Sequence, residues 1–153
     1  MQITIEPASP RNLEQLLKIE RECFATEAYS KEQILSLLRE PNAVGLLVNI
    51  NDEVAGFTIG IVEDHGGIKV GHIYTIDVVS KHRRKGVGIK LLEEIEKVFQ
   101  KKSAEISCLE VRADNQAARS LYQKAGYEEL EVLQDYYSPG VHGLTLKKQL
   151  RTK

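Results

Sequence analysis

Apolar and polar residues alternate along Gln2-Ile3-Thr4-Ile5-Glu6, and a period of two predicts a strand with one buried face. The period then lengthens. Leu13, Leu16, Leu17, Ile19 and Phe24 fall near helical spacing behind Ser9-Pro10, where serine is an N-cap and proline takes the first helical position. Ser30-Lys31-Glu32-Gln33 has the form of a capping box and opens a second helix through Leu38, which Pro41 ends. Three β-rich runs follow at residues 44–50, 54–63 and 69–79. Asn51-Asp52 and His65-Gly66-Gly67 separate them with turn chemistry, predicting an antiparallel meander. Across residues 86–102, the apolar positions Val87, Leu91, Leu92, Ile95, Val98 and Phe99 share one helical face. A short strand at 106–111 leads to a helix capped by Asp114 or Asn115 and stopped by Gly126, and strands near 128–135 and 143–150 finish the chain.

This order, β-αα-βββ-α-β-α-ββ, belongs to the mixed α+β class and predicts one domain over residues 1–153, with no internal repeat and no low-complexity segment. The chain is 42% hydrophobic and 28% charged, the profile of a globular protein able to bury a core without staples. Lys and Arg total 21 against 22 for Asp and Glu, so the balance offers no general attraction for nucleic acid. Cys23 and Cys108 form no CxxC pair and the histidines show no metal-ligand spacing, so neither a disulfide nor a metal site is expected. The opening MQITIEPASP is not a basic start followed by an apolar run, and no apolar stretch is long enough to span a membrane. A cytoplasmic location is expected.

Against that neutral background, Lys81-His82-Arg83-Arg84-Lys85-Gly86-Val87-Gly88-Ile89 concentrates bases and glycines between a predicted strand and the long helix. Unpaired N–H groups converge at a helix start, and its dipole favours anions, so a phosphate group is a natural guest. Gly86 and Gly88 let backbone approach phosphate oxygens, while Arg83, Arg84 and Lys85 supply charge-assisted hydrogen bonds. G-x-x-x-x-G-K-[ST] is absent and G-x-G-x-x-G lacks its third glycine, so neither familiar nucleotide loop is present. Charge and glycines alone leave a solvated basic turn equally open.

Arg83-Arg84-Lys85-Gly86-Val87-Gly88 resembles the R/Q-x-x-G-x-G/A acyl-CoA pyrophosphate loop of the GNAT superfamily of N-acetyltransferases, and the element order is similar to that fold from end to end. Residues 109–127, LEVRADNQAARSLYQKAGY, are similar to the signature of the branch that acetylates protein N-termini, including the ribosomal-protein alanine acetyltransferases and their archaeal relatives. The resemblance implies a mostly antiparallel sheet splayed between strands 4 and 5, with acetyl-CoA as cosubstrate in the gap. It implies backbone contacts to pantetheine from Ile76, Asp77 and Val78, pyrophosphate contacts from Arg83 to Ile89, including Val87, and further cofactor contacts from Asn115 and Tyr122. Glu110 and Tyr122 match the family's base and acid. His72 is a second base, as in the archaeal enzymes. Strand alternation puts Asp77 on the face opposite His72.

An α-amine, with a pKa of about 7.7 to 8.0, is a readier nucleophile near neutral pH than lysine at about 10.4. The resemblance adds two features that frame a peptide's first residues: Phe24 and Tyr29 in the loop between the first helices, and the pair Tyr136-Tyr137 in the late hairpin. The chain departs from the family's Phe-Pro at Phe24-Ala25 and from its acidic turn at Ser138-Pro139-Gly140-Val141-His142. The reading is an N-terminal protein acetyltransferase, with a ribosomal protein among the possible substrates and neither nucleic acid nor membrane as partner. The alternatives are a lysine or small-molecule acetyltransferase and a non-catalytic acetyl-CoA-binding module; the presence of Glu110 and Tyr122 argues against the last.

Overall fold

The computed structural model describes residues 2–150, so the expected 1–153 span runs past the described residues at both ends. Strands β1 (Ile3–Pro7), β2 (Ala43–Ile50), β3 (Glu53–His65) and β4 (Ile68–Val78) pair antiparallel in succession, the last three as the predicted meander. Its turns are tight because Asn51 and Asp52 (φ 50° and 66°) and Gly66 and Gly67 (φ 64° and 91°) accept left-handed backbone. Helix α3 (Val87–Lys101) carries the chain across to β5 (Ile106–Arg112), which runs parallel to β4. After α4 (Gln116–Lys124), β6 (Glu128–Ser138) turns back into β7 (Val141–Gln149). Strand β7 inserts between β5 and β6, giving one seven-stranded sheet ordered β1-β2-β3-β4-β5-β7-β6.

Helices cover both faces. Helices α1 (Leu13–Phe24) and α2 (Lys31–Leu38) bury Leu16, Ile19 and Ile34 against Leu47, Phe57 and Ile59. On the other face, α3 and α4 bury Leu92, Ile95, Phe99 and Tyr122 against Ile73, Leu109 and Leu144. Each large apolar side chain buried in this way contributes about 1.5–3 kcal/mol, most of it offset by the entropy of ordering the chain. No helix among the described residues is long and apolar enough to cross a membrane.

Two irregularities in β4 create the gap between the halves of the sheet. Pairing with β5 is limited to Val70, Gly71 and His72, opposite Ile106, Ser107 and Cys108. Next to this, Ile73 pairs with Gly60 and Thr75 with Ile59, leaving Tyr74 as the extra residue of a β-bulge. The bulge reverses the expected alternation. His72 and Tyr74 contact Glu63, and Thr75 contacts Glu20 of α1 and Asp77, so Asp77 lies on the same side of the sheet as His72, not opposite it.

Candidate active site

Where β4 and β5 diverge, the sheet opens into a cavity of about 430 Å³. Its floor includes Ile76 of β4 and Glu110 of β5, and its walls include Tyr122 of α4 and Asn115, just before that helix. Phe24 enters from the end of α1, Tyr29 from the loop after it, and Tyr136 and Tyr137 from β6.

Glu110 and His72 come together although they are 38 residues apart: His72 Nε2 lies 2.8 Å from Glu110 Oε1. On its other side, His72 Nδ1 lies 3.3 Å from Glu63 Oε1. Burial, the largest single influence, favours the neutral ring, but the hydrogen bonds and charges of Glu110 and then Glu63 outweigh it and hold the His72 pKa above its ordinary 6.5. Arg112, in contrast, binds Glu27 at 2.7 Å and Asp114 at 2.8 Å, tying the end of β5 to the loop after α1. Tyr122 is buried, and desolvation holds its phenol above the ordinary 10, so it remains a proton donor at neutral pH.

The phosphate-binding candidate is built from backbone. Gly86 is the N-cap of α3 at φ 81°, and a Cβ added there would meet nothing within 4 Å. It faces open space at the helix start, where unpaired amides gather. A Cβ at Gly88 would instead lie 3.6 Å from Leu121, in ordinary contact, so that glycine faces the interior. The three bases also separate. Arg83 folds back, donating to Val78 O at 3.1 Å, and Lys85 lies 3.3 Å from His82 Nδ1. Arg84, itself at φ 62°, has no side-chain partner among the described residues. Val79 N donates to Ala55 O of β3, so by alternation Asp77 also turns its amide to β3, whereas Ile76 and Val78 turn theirs away from it. Of the three expected pantetheine contacts, Asp77 is therefore corrected: its amide belongs to the sheet and its side chain to a buried cluster. The splayed strands, the amides of Ile76 and Val78 and the open helix start fit an extended thioester with a pyrophosphate at its far end.

Asn115 caps α4 by accepting from Ala118 N at 3.0 Å, which positions it at the cavity wall. The tyrosine pair is displayed by a break in pairing: Leu133 pairs with Gly143 and Ser138 with Val141, so residues 134–137 stand opposite His142 alone. Tyr136 and Tyr137 stack edge to face at 4.9 Å. On the other wall, Ala25 adopts φ 48°, which proline cannot reach, so the departure from Phe-Pro changes the backbone path of that loop. Tyr29 N donates to Glu20 Oε2 at 3.0 Å, and burial pushes the Tyr29 phenol up to about 12.

Glu20, Glu63 and Tyr74 are absent from the residues chosen on sequence. Glu20 carried a signal, since it continues the apolar stripe of Leu13, Leu16 and Leu17. A charged residue on such a face needs a buried partner. Glu63 and Tyr74 gave none, because their neighbours are set by the bulge.

Residues 13–127 match the model of the acetyltransferase (GNAT) family. The chain is 31% identical over 145 residues to an N-alpha-acetyltransferase of Sulfurisphaera tokodaii, covering 89% of this chain and 86% of that one. It is 28% identical over 156 residues to an N-alpha-acetyltransferase of Saccharolobus solfataricus, covering 96% and 93%. Among solved structures, Ard1 from Thermoplasma volcanium superposes with a TM-score of 0.87 at 27% identity, covering 99% of this chain and 100% of that one. The ribosomal-protein-S18-alanine N-acetyltransferase from Escherichia coli shares the fold at a TM-score of 0.87 and 24% identity, covering 99% and 96%. The splayed sheet, the glycine-capped α3 and these matches agree: the chain belongs to the acetyltransferase (GNAT) family and is an acetyl-CoA-dependent N-acetyltransferase.

Proposed function

We propose that the chain forms one acetyltransferase domain over residues 1–153 and acetylates the N-terminal α-amine of a protein or peptide. The observation that carries this reading is the pair of opposed aromatic walls, Phe24 and Tyr29 on one side and Tyr136 and Tyr137 on the other, leading to Glu110. Such an entrance suits a chain end, whose first residues lie between the rings while the amine reaches the carboxylate. The N-alpha-acetyltransferase relatives support the same substrate class, and a ribosomal protein, as acted on by the Escherichia coli structural neighbour, is one candidate. The unpaired Cys23 and Cys108 suit the reducing cytoplasm, which we propose as its location.

Acetyl-CoA supplies a thioester, whose carbonyl carbon is the electrophile. Glu110, with His72 behind it, takes the proton that the ammonium must lose before it attacks. Tyr122 holds a proton for the sulfur as it departs. The amides of Ile76 and Val78 bind the acyl donor, Gly86 to Ile89 with Arg84 and Lys85 receive its pyrophosphate, and Asn115 shapes the wall between. No covalent link to the enzyme is required, because the cavity places donor and amine together.

The test is a panel of peptides with varied first residues, offered with acetyl-CoA beside the same peptides carrying a blocked α-amine and an internal lysine. Turnover confined to free α-amines supports the reading. Equal turnover of the blocked peptides would identify a lysine acetyltransferase, and acetyl-CoA binding without turnover of any amine a non-catalytic module.

A further inference from the structure

We propose that Glu63 of β3 is a positioning residue for the reaction, holding His72 by Nδ1 so that Nε2 faces Glu110, with Tyr74 clamping Glu63 from the other side. The inference rests on acetyl transfer at Glu110, which the preceding section assigns to this cavity. Four side chains carry it. His72 lies between two carboxylates, 3.3 Å from Glu63 Oε1 and 2.8 Å from Glu110 Oε1. The Tyr74 hydroxyl donates to Glu63 Oε2, and its ring packs 4.1 Å from that of His72, centroid to centroid. The β-bulge brings this about, since Tyr74 is its extra residue and the ladder beyond it continues in a shifted register.

A neutral imidazole has one N–H, and the nitrogen that carries it is set by the hydrogen bond it makes. Glu63, an acceptor, holds a hydrogen on Nδ1, so the 2.8 Å contact of Nε2 with Glu110 takes up the second hydrogen when the ring is protonated, and loss of that one leaves the pair as the base. When the ammonium gives up a proton, the N–H bond breaks, its electron pair remains on nitrogen for attack, and the proton comes to rest between Glu110 Oε1 and His72 Nε2. The imidazolium formed is then held between two negative charges, the same arrangement by which a buried carboxylate orients and supports a histidine base. After product leaves, that proton passes to water, since Glu110 and His72 keep 21% and 17% of their side chains exposed. The groups facing this pair are Glu63 and His65 from β3, Tyr74 from β4 and Cys108 from β5. Lys147 of β7 faces Cys108, and the charge of Glu110 reaches Tyr29 and Tyr136 across the cavity.

Glu63→Gln keeps size and an acceptor oxygen but removes the charge. It is expected to lower kcat by about tenfold, the low end for loss of an orienting group behind a reacting one. The acidic limb of the kcat profile moves to lower pH, and KM for acetyl-CoA stays unchanged. NMR titration of the His72 ring without substrate reads the same effect directly: its midpoint is expected above 6.5 in the wild type and lower in Glu63→Gln. An unmoved midpoint with kcat within about twofold of wild type would overturn the proposal. Should Glu63→Gln fail to fold, Tyr74→Phe carries the test: Glu63, freed of that donor, keeps its full charge for His72, so the midpoint is expected to rise, and no shift would overturn the proposal. Because the titration needs no amine, a failure to find a peptide substrate would count against the assigned function and not against this role of Glu63.

Discussion

In the proposed reaction two residues handle the proton, and one marks where the phosphate would be received. Glu110→Gln keeps hydrogen bonding but cannot accept the proton, so kcat is expected to fall by about a hundredfold or more, as for loss of a general base. His72→Ala leaves the carboxylate in place and costs less. Steady-state kinetics on the two folded variants checks the order, and a larger loss in His72→Ala would make the imidazole the principal base. At Gly86 the left-handed backbone complicates the obvious substitution: Gly86→Val is strained at φ 81° before any ligand arrives. Asparagine tolerates that conformation, so Gly86→Asn is expected to unfold close to the wild type while its side chain, projecting into the open space at the helix start, weakens acetyl-CoA binding. Calorimetry giving unchanged affinity would remove the pyrophosphate from this position.

At the scale of elements, the late hairpin shows how a sheet can present a binding surface. Pairing between β6 and β7 holds up to Leu133 and resumes at Ser138, and the freed stretch is pinned where Asp135 N donates to His142 Nδ1 at 2.9 Å and Gly140 N to Asp135 Oδ1 at 2.8 Å. The turn that departs from the family's acidic sequence thus becomes the brace of the tyrosine pair. Replacing Tyr136 and Tyr137 together by alanine is expected to raise the peptide KM by about tenfold or more, in keeping with the loss of aromatic anchors. Affinity for acetyl-CoA, whose proposed contacts are on β4 and α3, should stay near the wild-type value. Parallel loss of both would point to a collapsed hairpin.

Across the whole molecule, α1 is fastened to the centre of the sheet by a buried pair of carboxyls. Glu20 and Asp77 are each 1% exposed and share the Thr75 hydroxyl, while Asp77 Oδ2 has no hydrogen-bond partner among the described residues. Burial, then the charge of Glu20, raises the Asp77 pKa well above its ordinary value. A carboxyl raised in the folded state binds its proton more tightly there than in the unfolded chain, where it titrates near about 3.9. Its contribution is therefore intact below about pH 4 and is lost as pH rises through the raised value. Asp77→Asn removes the need for that proton. It is expected to raise Tm at neutral pH by about 2 to 4 °C, equivalent to about 1 kcal/mol at this chain length, with little gain near pH 4. A gain independent of pH, measured by thermal melts across that range, would show that titration of Asp77 is not the cause.

The chain's own order of residues determined the elements and marked the proposed cofactor half of the site. Periods of two and of 3.6 marked the strands and helices, Asn51-Asp52 and Gly66-Gly67 marked the tight turns, and the glycine after Lys85 marked the start of α3, because these signals depend on neighbours in sequence. Tertiary structure alone decided what lies across from what. The Tyr74 bulge brought Asp77 to the side of His72 and joined Glu63 to it, and the insertion of β7 between β5 and β6 carried the tyrosines over Glu110. One unpaired residue in a ladder reverses every facing that follows, and alternation read along a single strand has no knowledge of its partner.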